Sequence, residues 1–329
     1  MMMPYFLGVD IGNTKCHALI ITPTGEIAGF GAGGPGNHEV LGEAGFRDAL
    51  HVVFEDALTN AGLDRSQIMG AGYGVAGYDW ESDMPLMRRV IDSLGMAAPY
   101  SVVNDGMMGL VAGSKRGWGV CISAGTSCNA RGRNAQGDEG RLTGNGWVCG
   151  EYGGGIELTY KALDAISRAW SLRAPATLLS DLFVQHLGAD SVAELLEGVA
   201  RGKYPMRATY APLVFEAVER GDAVARDLLA WISRELGNLG IGIIRQIKAE
   251  HEPVEVVLAG SFYKGSPLIA DGIRAAIHEV APRAELVRLE APPVVGSALL
   301  GMEAAGHDFT AIRERVVQAA SEVTPYTAD

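Results

Sequence analysis

One short device occurs twice in this chain, and it constrains the fold more than any other feature. Near the N-terminus the sequence runs Leu7-Gly8-Val9-Asp10-Ile11-Gly12-Asn13-Thr14-Lys15, continues through an apolar stretch and reaches Pro23-Thr24-Gly25-Glu26. Further on it runs Gly119-Val120-Cys121-Ile122-Ser123-Ala124-Gly125-Thr126-Ser127 and reaches Ala135-Gln136-Gly137-Asp138. Thr14 and Gly25 are 11 residues apart, as are Thr126 and Gly137. Each copy predicts a strand, a tight Gly/Thr turn, a second strand, a Gly turn and a third strand. Glycine beside a hydroxyl lets backbone N–H groups approach an anion closely, as a phosphate-binding turn requires. Two such turns at the heads of two similar domains, facing each other, would hold a nucleotide's phosphates from both sides.

At 329 residues the chain is long enough for two domains, expected at 1–113 and 114–329. A net charge of −12 argues against a nucleic-acid partner, because no Lys/Arg patch offsets backbone repulsion. No apolar run approaches the roughly 20 residues that span a bilayer. The opening Met-Met-Met-Pro-Tyr-Phe lacks the basic region and cleavage site of a signal peptide. Cys16, Cys121, Cys128 and Cys149 form no C-x-x-C pair and have no His at metal-ligand spacing. They predict reduced thiols and a cytoplasmic protein. Cys16 and Cys121 fall inside strand-like runs as small core residues, while Cys128 and Cys149 lie near glycine-rich loops.

The first half alternates strand and helix, an α/β pattern with parallel strands. Strands are expected near 5–11, 15–22, 26–32, 68–75 and 101–103, with helices near 43–61 and 82–94. The second half repeats the hairpin unit at about 118–139, then turns mostly helical from about 155 to 251, broken at Pro175, Gly188, Pro205 and Gly221. A buried strand near 254–258 closes on Ala259-Gly260-Ser261. A helix near 266–281, a strand near 285–289 and a helix near 293–305 follow, and the end from Pro325 is expected to fray.

Asp10 sits just before the Gly12-Asn13-Thr14 bend. An Asp there serves as a plain turn cap, or holds Mg²⁺ through water, since that ion takes few protein ligands. The duplicated turn favours the metal role. Asp105 ends an apolar strand and begins a helix, a place that suits an N-cap and equally a catalytic base kept ionised by the helix N-terminus. The G-x-G-x-x-G at Gly72–Gly77 is weak, because Tyr78-Asp79-Trp80-Glu81 does not open an apolar helix. It predicts a strand ending in a substrate-facing loop. No Walker-type phosphate loop occurs.

In order, these motifs are D-x-G-x-T, Asn37-His38, a strand ending Asn104-Asp105, Ala124-Gly125-Thr126-Ser127 and Ala259-Gly260-Ser261. The chain resembles the N-acetylglucosamine kinase and BadF/BadG/BcrA/BcrD ATPase group, within the wider fold of actin, sugar kinases and heat-shock chaperones, over about residues 5–305. The resemblance implies two actin/hexokinase-like (ribonuclease H-like) α/β domains with a cleft between them. It implies that Asp10 organises Mg²⁺ and that Gly12, Asn13, Thr14 and Lys15 meet the terminal phosphates of ATP. It implies that Gly125, Thr126 and Ser127 cradle the phosphates from the other domain, with Gly260 and Ser261 beside the adenosine. Asn37, His38, Asn129 and Trp147 match sugar-contacting positions, and Asp105 matches the base that accepts the hydroxyl proton. Two departures stand out. The family's A-G-T-G-S lacks its second glycine here, and its G-D-E-G-S becomes Gly150-Glu151-Tyr152-Gly153-Gly154, so Glu151 stands where an Asp grips sugar hydroxyls.

The expectation is an ATP- and Mg²⁺-dependent kinase that phosphorylates an amino sugar, N-acetylglucosamine first, with a homodimer as one compatible assembly. The alternative is a switch that couples ATP hydrolysis to a conformational change in a partner protein.

Overall fold

The structure, a computed structural model, describes residues 4–324; the end expected to fray from Pro325 lies outside them. Tyr5–Ile11 (β1), Cys16–Ile21 (β2) and Ile27–Gly33 (β3) form an antiparallel meander, and Ile68–Val75 (β4) and Tyr100–Asn104 (β5) extend it in parallel from β1. The order is β3-β2-β1-β4-β5. Gly119–Ala124 (β6), Cys128–Arg133 (β7), Glu139–Arg141 (β8), Glu255–Ala259 (β9) and Glu285–Arg288 (β10) form a second sheet in the order β10-β9-β6-β7-β8. Read from its meander, that is the same order as the first sheet. The duplication seen in the sequence is therefore a duplication of topology.

The two hairpin turns match in detail. Thr22 N–H donates to Glu26 and Gly25 N–H to Thr22; in the second copy Asn134 N–H donates to Asp138 and Gly137 N–H to Asn134, all within 2.9–3.1 Å. Both glycines hold a positive φ, +87° and +90°, which a side chain would resist. The first turns differ by one residue: Ile11 pairs with Cys16, but Ala124 pairs with Cys128. The register partner of Asp10 in the second copy is thus Ser123, so only the first copy carries a carboxylate there.

Helices His38–Ala61 (α1) and Met84–Asp92 (α2) cover one face of the first sheet, and Asp105–Gly113 (α3) leads from β5 to the second sheet. Gly155–Trp170 (α4), Leu179–Leu187 (α5), Val192–Ala200 (α6), Ala211–Glu219 (α7), Ala223–Gln246 (α8) and Pro267–His278 (α9) pack over the outer face of the second. Gly42, at φ +69°, interrupts α1, so the regular helix begins at the position its apolar spacing predicts.

Pro293–Ala304 (α10) and Arg313–Val323 (α11) follow the second sheet in the chain but pack on the first. A Cβ on Gly8 or Gly72 would fall on the α10 backbone at Ala298 and Ser297, and one on Gly301 would press on the carbonyl of Leu7. Such backbone-on-backbone approach is what glycine permits. Together α3 and α10 fill the space between the sheets and share a core with Cys121 and Val257.

Candidate active site

Ile11, Val75 and Asn104 share one register row across the three parallel strands of the first sheet. Asp10 and Asp105 therefore emerge together at the carboxyl edge, where open α/β sheets place their ligands. Around them lie three loops. The turn at 12–15 is closed by Gly12 N–H donating to Lys15, and Gly36 N–H donates back to Gly12. Asn37 is buried; it caps α1 through Glu39 N–H and donates its amide to Asn13 Oδ1 at 2.6 Å. His38 follows, its Nδ1 buried and without a partner. Asn13, Thr14 and Lys15 are exposed.

The electrostatics agree with this grouping. Asp10 is pushed up to about 7, chiefly by burial and then by the Asp105 charge, with Lys15 pulling it down. Asp105 reaches solvent but is walled in by protein. Burial and Asp79 push it up to about 6, while the Gly106 N–H and Arg131 pull it down. Burial, and then the Asp105 charge, push the Cys121 thiol in β6 up.

On the second sheet Ser123 aligns with Ala259, bringing Gly125–Ser127 and Gly260–Ser261 to one edge. Gly155 and Ile156, at the start of α4, donate to the carbonyls of Gly125 and Thr126 at 2.9 and 3.0 Å. Gly260 takes a positive φ of +100°, and a Cβ there would strike the Ala124 carbonyl. Tyr263 Oη–H donates to Ile122, and Arg288 donates to the Leu258 and Gly260 carbonyls, so the loop after β9 is tied to this edge.

The other expected contacts belong to the second lobe. Glu151 is buried with its carboxylate turned onto its own segment, accepting from Thr143 N–H and Oγ–H at 2.7 and 2.9 Å and from Gly146 N–H at 3.3 Å. Asn129 is half-buried, and its Oδ1 accepts from Ala130 N–H. Trp147 is 65% exposed and lines a separate cavity of about 350 Å³ with Tyr152, Ile156 and Tyr160. The four thiols are free, with Cys149 alone exposed. Glu151→Ala should leave the Thr143 and Gly146 donors unmet and cost about 1–3 kcal/mol. The urea midpoint measures this; an unchanged midpoint would mean that the 143–146 loop holds without the carboxylate.

Two groups were not singled out from the sequence. Glu157 is buried beside the second glycine turn, where it accepts from Ser127 Oγ–H and Gly154 N–H at 3.3 and 2.8 Å. Its place three residues past the Gly154 cap is the one available signal. Asp79 meets Arg131 and Asn104 at the foot of the cleft, and no motif marks it.

The family model described as BadF/BadG/BcrA/BcrD ATPase family matches residues 7–301. The chain belongs to this family. As a member, it has relatives with named activities. The N-acetyl-D-glucosamine kinase of Dictyostelium discoideum is 26% identical over 310 residues, covering 90% of this chain and 97% of that protein. The N-acetylmuramic acid/N-acetylglucosamine kinase of Clostridium acetobutylicum is 23% identical over 300 residues, covering 91% and 98%. Among solved structures, a Chromobacterium violaceum protein provisionally named an N-acetylglucosamine kinase superposes with a TM-score of 0.65 at 23% identity, covering 91% of this chain and 99% of that one. A Streptomyces griseus ROK family glucokinase, solved with glucose and AMPPNP, gives 0.56 at 20% identity, covering 91% and 99%. These likenesses establish the actin/hexokinase-like α/β fold expected from the motif order. Among the described residues, no helix is long and apolar enough to cross a membrane.

Proposed function

We propose that this family member is an ATP-dependent sugar kinase acting on an N-acetylated amino sugar, with N-acetylglucosamine the first candidate. The observation that carries the proposal is the meeting of Asp10 and Asp105 at one sheet edge, opposite a second glycine turn of duplicated design. In it, Asp105 accepts the proton of a sugar hydroxyl as that oxygen attacks the terminal phosphate. The turns at 12–15 and 125–127 hold the phosphates, and Gly260 with Ser261 borders the adenosine. Asn37, His38, Asn129 and Trp147 contact the sugar, and Glu151 stands where the family's Asp grips sugar hydroxyls. The relatives with amino-sugar kinase names support the substrate class. Phosphoryl transfer asks mostly for positioning and electrostatics, which suits a site with few covalent players.

Mg²⁺ fits the donor set. Among the described residues no three metal-ligating side chains cluster, and Mg²⁺ needs only one or two carboxylates beside waters and phosphate oxygens. Asp10 would hold it, and the ion would neutralise charge on the phosphates. The proposal keeps two lobes, 1–113 and 114–329, with α10 and α11 returning to the first. It is a cytoplasmic enzyme, and a homodimer is compatible with it.

The test is a coupled assay with ATP across a panel of amino sugars and hexoses, with ATP hydrolysis followed alone. Consumption of ATP that depends on N-acetylated amino sugars is expected. Hydrolysis that no sugar stimulates would instead identify an ATP-driven switch. A pH profile adds a check. A base with its carboxyl held up to about 6 is active when ionised, so kcat/KM should rise with pH and level off above about 6. A plateau extending unchanged down to pH 4.5 would exclude a base that titrates near 6.

A further inference from the structure

Asp79 joins the first lobe to the second beside the turn that carries Asp105. It leaves the loop after β4, in the first lobe. One of its oxygens, Oδ1, accepts from Arg131 of β7 at 2.5 Å and from the Asn104 side-chain amide at 3.2 Å. The pair with Arg131 is shielded, the two side chains being 6% and 18% exposed. Asn104 in turn caps α3, its Oδ1 accepting from Gly106 N–H at 3.0 Å, and so fixes the turn that carries Asp105. Arg131 lies against that turn, since a Cβ on Gly106 would come within 3.0 Å of its Cγ.

The second lobe reaches the same residue twice more. The Asp79 backbone carbonyl accepts from Arg141 of β8 at 3.0 Å. Gly144, in the loop that Glu151 holds, packs so closely that a Cβ on it would sit about 3 Å from both Asp79 oxygens. A chain of contacts therefore runs from Glu151 through the 143–146 loop, Asp79 and Asn104 to the base. It crosses between the lobes where Gly144 packs on Asp79.

We propose that Asp79 and Arg131 form a latch that fastens the second lobe onto the base-bearing end of α3, making both positioning residues for phosphoryl transfer. The physics favours this over a merely stabilising pair. A shielded ion pair adds little net stability over apolar packing, but losing one partner strands a charge. What the pair does secure is geometry, because its partners fix where Asn104 and hence Asp105 can point. Misplacing a catalytic group by about 1 Å costs on the order of 10²-fold in rate. The inference rests on the kinase reading above, and its test has one arm that does not.

The variants are Asp79→Asn, Arg131→Gln and the double replacement, which strands no charge and so keeps a folded reference. Asp79→Asn and Arg131→Gln should each lower kcat about 10- to 100-fold with ATP affinity unchanged. The double variant should be no slower than the worse single, as for two members of one unit. Arg131→Lys should recover part of the rate. Independently of activity, hydrogen exchange of amides 105–109 in the free protein should quicken in both singles, while α8 and β9 stay protected. Rates within twofold of the parent, or losses that multiply in the double variant, or unchanged exchange at 105–109, would overturn the latch. A parent chain that phosphorylates no sugar yet shows the exchange effect would overturn the kinase reading and leave the latch standing.

Discussion

Asp105→Asn is expected to lower turnover by about 10²–10⁴, the usual contribution of a general base, while nucleotide affinity stays near that of the parent. The substitution keeps the size of the side chain and one oxygen that can accept the Gly106 N–H, now at 2.9 Å. It removes the negative charge and with it the capacity to take a proton. Asn104, not Asp105, supplies the α3 cap by accepting from Gly106 at 3.0 Å, so the helix start should survive. The nucleotide contacts proposed above belong to other segments, 12–15, 125–127 and 260–261. Loss of the Asp105 charge also relieves Asp10, whose carboxyl that charge helps to push up to about 7. Mg²⁺ and nucleotide binding should therefore hold or improve slightly. Steady-state kinetics with saturating sugar, beside calorimetric nucleotide titration, separate the two effects. Near-normal turnover would remove Asp105 from the mechanism; equal losses in turnover and nucleotide affinity would make it a structural residue.

How far the sequence reaches can be judged from single elements. The strand at 68–75 and the regular part of α1 fall where apolar periodicity puts them, because each is specified by its own residues. The duplicated hairpins were legible for the same reason, down to the positive-φ glycines at 25 and 137. Helix α11 has no counterpart in the sequence reading; only Arg313, Val316 and Ala320 of it are buried, a stripe too sparse to stand out. The packing of α10 on the first sheet was equally hidden. Its small residues Gly296, Ser297, Ala298 and Gly301 are a cue for close approach, but they do not say to what.

At the site, local motifs placed Asp10, Asn37, Asp105 and the glycine turns at shared edges. Longer-range pairings escaped. Arg131 and Asp79 are 52 residues apart and belong to different lobes. No spacing rule connects them, and each alone resembles an ordinary surface charge. Glu151 shows the converse case. Its position was marked by family resemblance, yet its carboxylate is taken up by Thr143 and Gly146, local partners that a motif does not record.

Gly8→Ala should cost about 3–5 kcal/mol, in the exceptional range for one residue. The added methyl would land on the backbone of Ser297 and Ala298 rather than on a side chain that can rotate away. Relief requires α10 to lift from β1, but α10 is seated on the same sheet at neighbouring points as well. Gly72 meets Ser297 and Gly301, and Gly301 meets the Leu7 carbonyl, so three contacts would have to open together. The helix also carries the fully buried Val294, Val295, Ala298 and Leu299, and separation would expose apolar area worth about 25 cal/mol per Å². A domain with only about 5–15 kcal/mol of stability keeps little reserve after such a loss. Gly34→Ala is the control, because a Cβ there meets nothing within 4 Å; it should stay within about 0.5 kcal/mol of the parent. Urea unfolding of the two variants side by side measures the difference. Since α10 and α3 together fill the space between the lobes, Gly8→Ala should also lower sugar-dependent turnover at temperatures where the chain remains folded, whereas Gly34→Ala should not. Equal midpoints for the two variants would mean that α10 slides along the sheet at little cost, and the wedge between the lobes would then be a soft contact rather than a fixed one.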